Sequence, residues 1–211
     1  MTPQMHAARH RHGHHDGGHL HTFHELASRM HPESSRRVGI GEVAVSWQPI
    51  RLQTLLGSCV SVCLYNPAAR AGGMNHILVP SSGSDCRCTA RCGVQAMELL
   101  INALMQEGGD RRRFVAKAFG AANVLSAFQT PTVGELNAKF VREFLRTERI
   151  PLLAERMGGS QAVRVTFHTT TGKALVSTVD GSRLATIVRE ETSWYNTPAA
   201  DRFPADEPII F

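Results

Sequence analysis

Long apolar runs are missing from this sequence. No segment approaches the ~18–20 consecutive apolar residues that a membrane-crossing helix needs, so insertion in a membrane is not expected. Charge is also sparse: charged residues make up 19% of the chain, and the net balance is only +5. The lysines and arginines are dispersed, which gives nucleic-acid binding little support. Cysteines number five, an odd count. The N-terminal stretch has no apolar core of the ~7–15 residues a secretory signal requires. Free thiols in a reducing cytoplasm are therefore expected, not a disulfide framework. The hydrophobic fraction of 42% is ordinary globular usage. It excludes wholesale disorder and a fibrous chain.

What is present is unevenly spread. Residues 1–37 hold nine of the eleven histidines: His6, His10, His12, His14, His15, His19, His21, His24 and His31. Gly13, Gly17 and Gly18 break any periodicity there, so a flexible extension without a core is expected. Imidazoles ligate transition metals, and a metal-binding tail is one reading of the head. A solvated tail that takes up metal only adventitiously is the other, since the spacing shows no fixed geometry.

From Val38 the pattern becomes that of a folded domain. "VGIGEVAVS", "IRLQTLLGSC", "VSVCLYNP" and "GGMNHILVP" read as strands bounded by Gly, Asn and Pro. "SSGSDCRCT" reads as a loop. Residues 90–107 read as a helix with Val94, Met97, Leu100, Ile101 and Leu104 on one stripe. "FVAKAFGAANVL" is a buried strand, and "VGELNAKFVREFLRTE" a second amphipathic helix with Leu136, Phe140, Val141, Phe144 and Leu145 on its stripe. "IPLLAERMGG", "AVRVTFHTT" and "KALVSTV" are further strands. Residues 38–178 then form one unit of about seven strands and two main helices, a layered α/β or α+β sandwich. Residues 179–211 turn polar and Pro-containing and are expected to be a tail, one able to fold back and dock.

The residues that carry chemistry are Gly57, Ser58, Cys59 and His76. A catalytic cysteine needs a base for its proton and backbone N–H groups aimed at the developing oxyanion. "LLGSC" supplies a strand running into a tight turn, and Gly57 lets backbone approach a substrate carbonyl closely. His76 sits in a strand whose pairing can set it against Cys59. This is a nucleophile–base arrangement for acyl transfer. A buried thiol and a hydrogen-bonded core histidine would give the same letters.

The run "TLLGSCVSVCLYNPAARAGGMNHILVP", residues 54–80, resembles the signature of the chemoreceptor glutamine deamidase family, the CheD-like proteins of bacterial chemotaxis. "AMELLINALMQEGG", "AKAFGAANVL", "GELNAKFVREFL", "IPLLAERMGG" and "VRVTFHTTTGKALV" follow in the family's order. The similarity covers about residues 38–178. It implies Cys59 as nucleophile, His76 as its histidine and Thr54 as the third active-site member. It implies an α/β sandwich similar to that of the cytotoxic necrotising factor deamidases. It also implies deamidation of specific glutamines on methyl-accepting chemoreceptors. On that mechanism Cys59 attacks the carboxamide, Ser58 and its neighbours hold the oxyanion, ammonia leaves, and water hydrolyses the thioester. A thiolate–imidazolium pair is the expected resting state. No metal or organic cofactor is expected.

Other residues have plainer readings. Cys63, four positions after Cys59, is expected to be a small core hydrophobe. Cys86, Cys88 and Cys92 lack the usual C-x2–4-C pairing of a zinc site. His168 reads as a strand or turn residue, and Lys117 as buried and paired. Two alternatives to the amidase stand beside it. One is a binding module that engages a CheC-type phosphatase, a role the family combines with catalysis. The other is a metal-binding protein using the head and the cysteine cluster.

Overall fold

A computed structural model describes residues 34–78, 86–106, 108–123, 131–179 and 181–197, with the side chains of residues 86–92, 181, 182 and 195 outside that description. The order of elements is β1 Ser35–Arg37, β2 Val43–Ser46, β3 Arg51–Leu56, β4 Val60–Asn66, β5 Ala71–Asn75, α1 Cys86–Gln106, β6 Val115–Gly120, α2 Val133–Thr147, β7 Leu152–Met157, β8 Val163–His168, β9 Ala174–Thr178 and α3 Gly181–Asn196. The strands make two sheets, ordered β1-β3-β8-β9 and β2-β5-β4-β6-β7. The expected layered α+β sandwich is the observed architecture, with nine strands and three α-helices among the described residues.

Strand β4 shows why the layers form. Seven residues long, it is buried on both faces apart from Tyr65, as expected of a strand covered on two sides. Val60, Val62 and Leu64 point to one side, where Met97, Leu100, Ile101 and Leu104 of α1 and Val141, Phe144 and Leu145 of α2 close a first core. Cys63 points to the other side, into a second core between the sheets with Leu52 and Leu56 of β3 and Val163, Val165 and Phe167 of β8. Burying each such side chain contributes on the order of 1.5–3 kcal/mol. Strand β3 alternates buried and more exposed residues along its length. That period of two sends Leu52, Thr54 and Leu56 into the space between the sheets.

Four local features differ from the sequence reading. Helix α1 begins at Cys86, so the last residues of the segment read as a loop are helical. Strand β1 lies inside the stretch 1–37 and pairs in parallel with β3. Residues 181–196, within the expected tail, form a helix. Val94 is exposed rather than on the buried stripe. There the ring of Phe140 lies where a side chain on Gly93 would stand, so α2 approaches α1 at the glycine and not at Val94.

Candidate active site

The chain passes from one sheet to the other through Gly57, Ser58 and Cys59, since β3 and β4 belong to different sheets. The three carbonyls of this bend are all tied down behind it. Ala122 N–H donates to Gly57 O at 2.7 Å, Ala121 N–H to Cys59 O at 2.6 Å, and the Asn137 side chain to Ser58 O at 2.8 Å. Gly120 makes the close approach possible: its φ is +104°, and a Cβ there would stand 2.4 Å from Cys59 O. Ala121 adopts φ +56°, an uncommon conformation for a residue with a side chain. Asn137 is delivered by α2, whose first turn is fixed by a capping box between Thr132 and Glu135. With the carbonyls engaged on one side, the Cys59 N–H faces the other.

His76 follows β5 directly, and its backbone is clamped by Gly41 N–H on its carbonyl and Glu42 O on its amide. Val60 and Ile77 pair antiparallel, so the residues flanking them turn to the opposite face. Cys59 and His76 thereby become diagonal neighbours on the inter-sheet side, a relation with Cα atoms about 7–8 Å apart. Thr54, reaching inward from the facing sheet, meets the imidazole. Its Oγ1 lies 2.9 Å from His76 Nδ1 and donates to Val38 O at 2.8 Å.

This geometry assigns the tautomer. The threonine hydroxyl has one proton, and Val38 O can only accept. The proton on the Thr54–His76 bond must then come from Nδ1, which also lies 3.4 Å from Val38 O. Nε2 is left as an unprotonated lone pair. It is buried and has no hydrogen-bond partner, and among the described residues it is the only buried side-chain nitrogen or oxygen in that condition. Burial, with a smaller push from the Arg37 charge, drives the His76 pKa down to about 4 against a small upward pull from Val38 O. The ring is a neutral base at physiological pH.

The nucleophile's side is occupied by another part of the chain. Glu191 of α3, 1% exposed, places one carboxylate oxygen 2.7 Å from Ser58 Oγ and the other 3.2 Å from the Cys59 amide nitrogen. Burial pushes the Cys59 thiol well above its ordinary range. The Glu191 charge pushes in the same direction. Both shifts run against the thiolate–imidazolium pair expected from sequence. A desolvated thiol beside a carboxylate stays protonated, and a desolvated imidazole stays neutral.

Of the residues singled out by sequence, Thr54 and His76 are in contact. Cys59 and Ser58 are together at the bend, and Gly57 contributes its carbonyl to holding that bend. No hydrogen bond joins Cys59 to His76 Nε2. Cys63 is buried in the inter-sheet core, and burial raises its pKa too. Lys117 donates to Gly172 O at 2.7 Å. His168 ends β8, remote in the strand register from Thr54. The side chains of Cys86, Cys88 and Cys92 and the histidine-rich head lie outside the described residues. Sequence reasoning missed Glu191, Asn137 and the Val38 carbonyl. A single acid in the stripe Leu184, Ile187, Val188, Glu191, Trp194 was the one legible signal.

Comparison with known proteins places the chain in a family. The family model described as CheD chemotactic sensory transduction matches residues 78–178, beginning two positions after His76. A Xanthomonas campestris pv. campestris protein named probable chemoreceptor glutamine deamidase CheD is 43% identical over 142 residues, covering 67% of this chain and 72% of that protein. A Stenotrophomonas maltophilia protein of the same name is 42% identical over the same length. A Burkholderia thailandensis protein, probable chemoreceptor glutamine deamidase CheD 2, is 39% identical over 186 residues, 86% of this chain and 95% of that protein. Likeness to solved structures is weaker: the Bacillus licheniformis hypothetical protein YfiH is 15% identical, with a TM-score of 0.33 over 54% of this chain and 49% of that one. Identity of this extent, over more than two thirds of each relative, means that the chain belongs to the CheD family.

Proposed function

We propose that this protein deamidates glutamine side chains on methyl-accepting chemoreceptors, with Cys59 as nucleophile, His76 as base and Thr54 as the residue that orients the base. The observation that carries the reading is the buried His76. Its Nδ1 proton is committed to Thr54, and its Nε2 lone pair is unpartnered on the face it shares with Cys59. A histidine buried only for packing would have both nitrogens satisfied.

In the reaction Nε2 takes the Cys59 proton as sulfur bonds to the substrate carboxamide carbon. The Cys59 N–H and the Ser58 hydroxyl then face the developing oxyanion; one such donor is typically worth ~3–4 kcal/mol of barrier. His76 returns the proton to the departing nitrogen. Ammonia leaves and a thioester remains. Water, deprotonated by Nε2, attacks the thioester, and the thiol leaves with that proton. One carboxamide and one water thus yield one glutamate and one ammonium.

The deamidase unit read from sequence, residues 38–178, is extended by β1, which pairs with β3, and by α3, which carries Glu191. A substrate in the cytoplasmic helical region of receptors places the enzyme in the cytoplasm. In keeping with that, no helix among the described residues is long and apolar enough to cross a membrane. A CheC-type phosphatase is the partner of the alternative, binding-module reading; the presence of Thr54, Cys59 and His76 together supports catalysis instead.

The test is mass spectrometry of a purified receptor cytoplasmic fragment before and after incubation. Wild type should convert specific glutamines. Cys59→Ala should convert none, while Cys63→Ala retains most activity. Conversion by Cys59→Ala at the wild-type rate would remove Cys59 from the mechanism.

A further inference from the structure

Helix α3 presents one charged residue within an otherwise apolar inner stripe. Ile187 is buried, Trp194 packs against the inter-sheet core, and Glu191 lies between them at helical spacing. Packing alone does not explain the glutamate. A buried carboxylate is costly unless paired, and among the described residues Glu191 has no cation partner. Its carboxylate accepts from the Ser58 hydroxyl and the Cys59 N–H. These are the groups that face the oxyanion in the mechanism above. A glutamate side chain on a helix, lying against the nucleophile's own amide, is the chemical form of the deamidation product.

We propose that α3 is an intramolecular product analogue: Glu191 fills the subsite for the side-chain carboxyl group, and a substrate helix must displace α3 to put its glutamine there. This deepens the proposed function and rests on it. Two further observations agree. Glu191 engages the Cys59 amide while His76 Nε2 has no partner, as expected if the occupant holds the nucleophile's side of the site and leaves the base idle. One side of the helix also lies open to solvent. An open cleft of about 620 Å³ separates it from the 37–42 loop, bridged by an ion pair between Arg37 and Glu190 whose side chains are 58% and 37% exposed. A pair that exposed contributes little. Ile187 and Trp194 flank Glu191 at −4 and +3, so the displacing helix is expected to carry apolar residues at those positions around its glutamine.

The test uses the full-length chain. Glu191→Gln keeps the shape and places a carboxamide against Cys59. The side chain introduced at 191 should be converted to glutamate, read as the mass gain of one deamidation localised by tandem mass spectrometry. It should persist unconverted when Cys59→Ala is added. Glu191→Ala should speed alkylation of Cys59 about tenfold at neutral pH, as a thiol freed of a neighbouring carboxylate gains thiolate. The same variant should lower KM for the receptor fragment.

If wild type deamidates the receptor fragment, yet position 191 stays unconverted and Glu191→Ala moves neither alkylation nor KM, the product-analogue proposal is overturned while the deamidase stands. If position 191 converts but the receptor fragment does not, the proposal holds and the assigned substrate class falls. If neither converts, both fall.

Discussion

The two halves of the active site are built differently. The base half is made of strands. Thr54 comes from β3 in one sheet and His76 from the end of β5 in the other, and the Val38 carbonyl completes the contact. All three groups are buried, and their hydrogen bonds leave one tautomer. The nucleophile half is a bend between strands, and its groups are engaged by a surface helix through Glu191. The first half is preorganised by the core, where any change would disturb sheet packing. The second depends on a helix that follows the last strand of the sheets and belongs to neither of them. An enzyme that reads a helix on another protein benefits from that division: the base holds its proton state while the subsite for the incoming side chain is opened.

The comparison can be broken by substitution. The largest effect is expected at the base. His76→Gln keeps a hydrogen-bonding side chain but removes the proton acceptor, and general-base loss is typically worth ~10²–10⁴-fold in kcat. Because burial pushes the Cys59 thiol up and the His76 imidazole down, His76→Gln should leave the pH dependence of Cys59 alkylation nearly unmoved while activity collapses. A large rise in the apparent thiol pKa would instead indicate an ion pair.

Next comes the core beneath the base. Leu100 is fully buried against β5, and Leu100→Ala is expected to cost about 2–5 kcal/mol of stability. Denaturant unfolding reads the loss, and kcat measured well below the new melting temperature should stay within a few-fold. A kcat loss rivalling that of His76→Gln would show that the helix-covered core sets the base geometry.

Acid should reveal His76 through stability alone. Its folded pKa is about 4, below the ordinary value of 6.5. Between these values the unfolded chain binds a proton that the folded protein does not. The stability from keeping the ring neutral is therefore complete above 6.5, falls as pH drops through the window, and is fully lost below about 4. The shift corresponds to about 3 kcal/mol. Melting of wild type and His76→Gln across this range should show a shallower slope in the variant.

The smallest effect is expected at the orienting residue. Thr54→Val keeps the shape and removes one hydrogen bond from Nδ1, leaving Val38 O as the remaining acceptor. A loss of about 1–1.5 kcal/mol, roughly tenfold in kcat with KM unchanged, should follow. Thr54→Ser should restore it, and failure of that rescue would assign the threonine methyl, not the hydroxyl, as the group that matters.

Much of this was legible from residue order. The three- and four-residue spacing of α1 and α2 marked most of their buried stripes, Val94 excepted, because periodicity depends only on backbone geometry. The bend at Gly57–Ser58–Cys59 was visible because glycine marks where a chain can turn tightly. By itself the sequence determined the layers, the bend and the identity of a thiol, an imidazole and a hydroxyl near one another in the chain.

Tertiary structure decided the rest. Which nitrogen of His76 carries the proton depends on Val38 O, brought to Thr54 Oγ1 by folding across 16 positions of sequence. Whether Cys59 is a thiolate depends first on its burial and then on the charge of Glu191, 132 positions away. Proton positions answer to the charges and acceptors within a few ångströms in space, whereas residue order shows only what lies within a few positions along the chain.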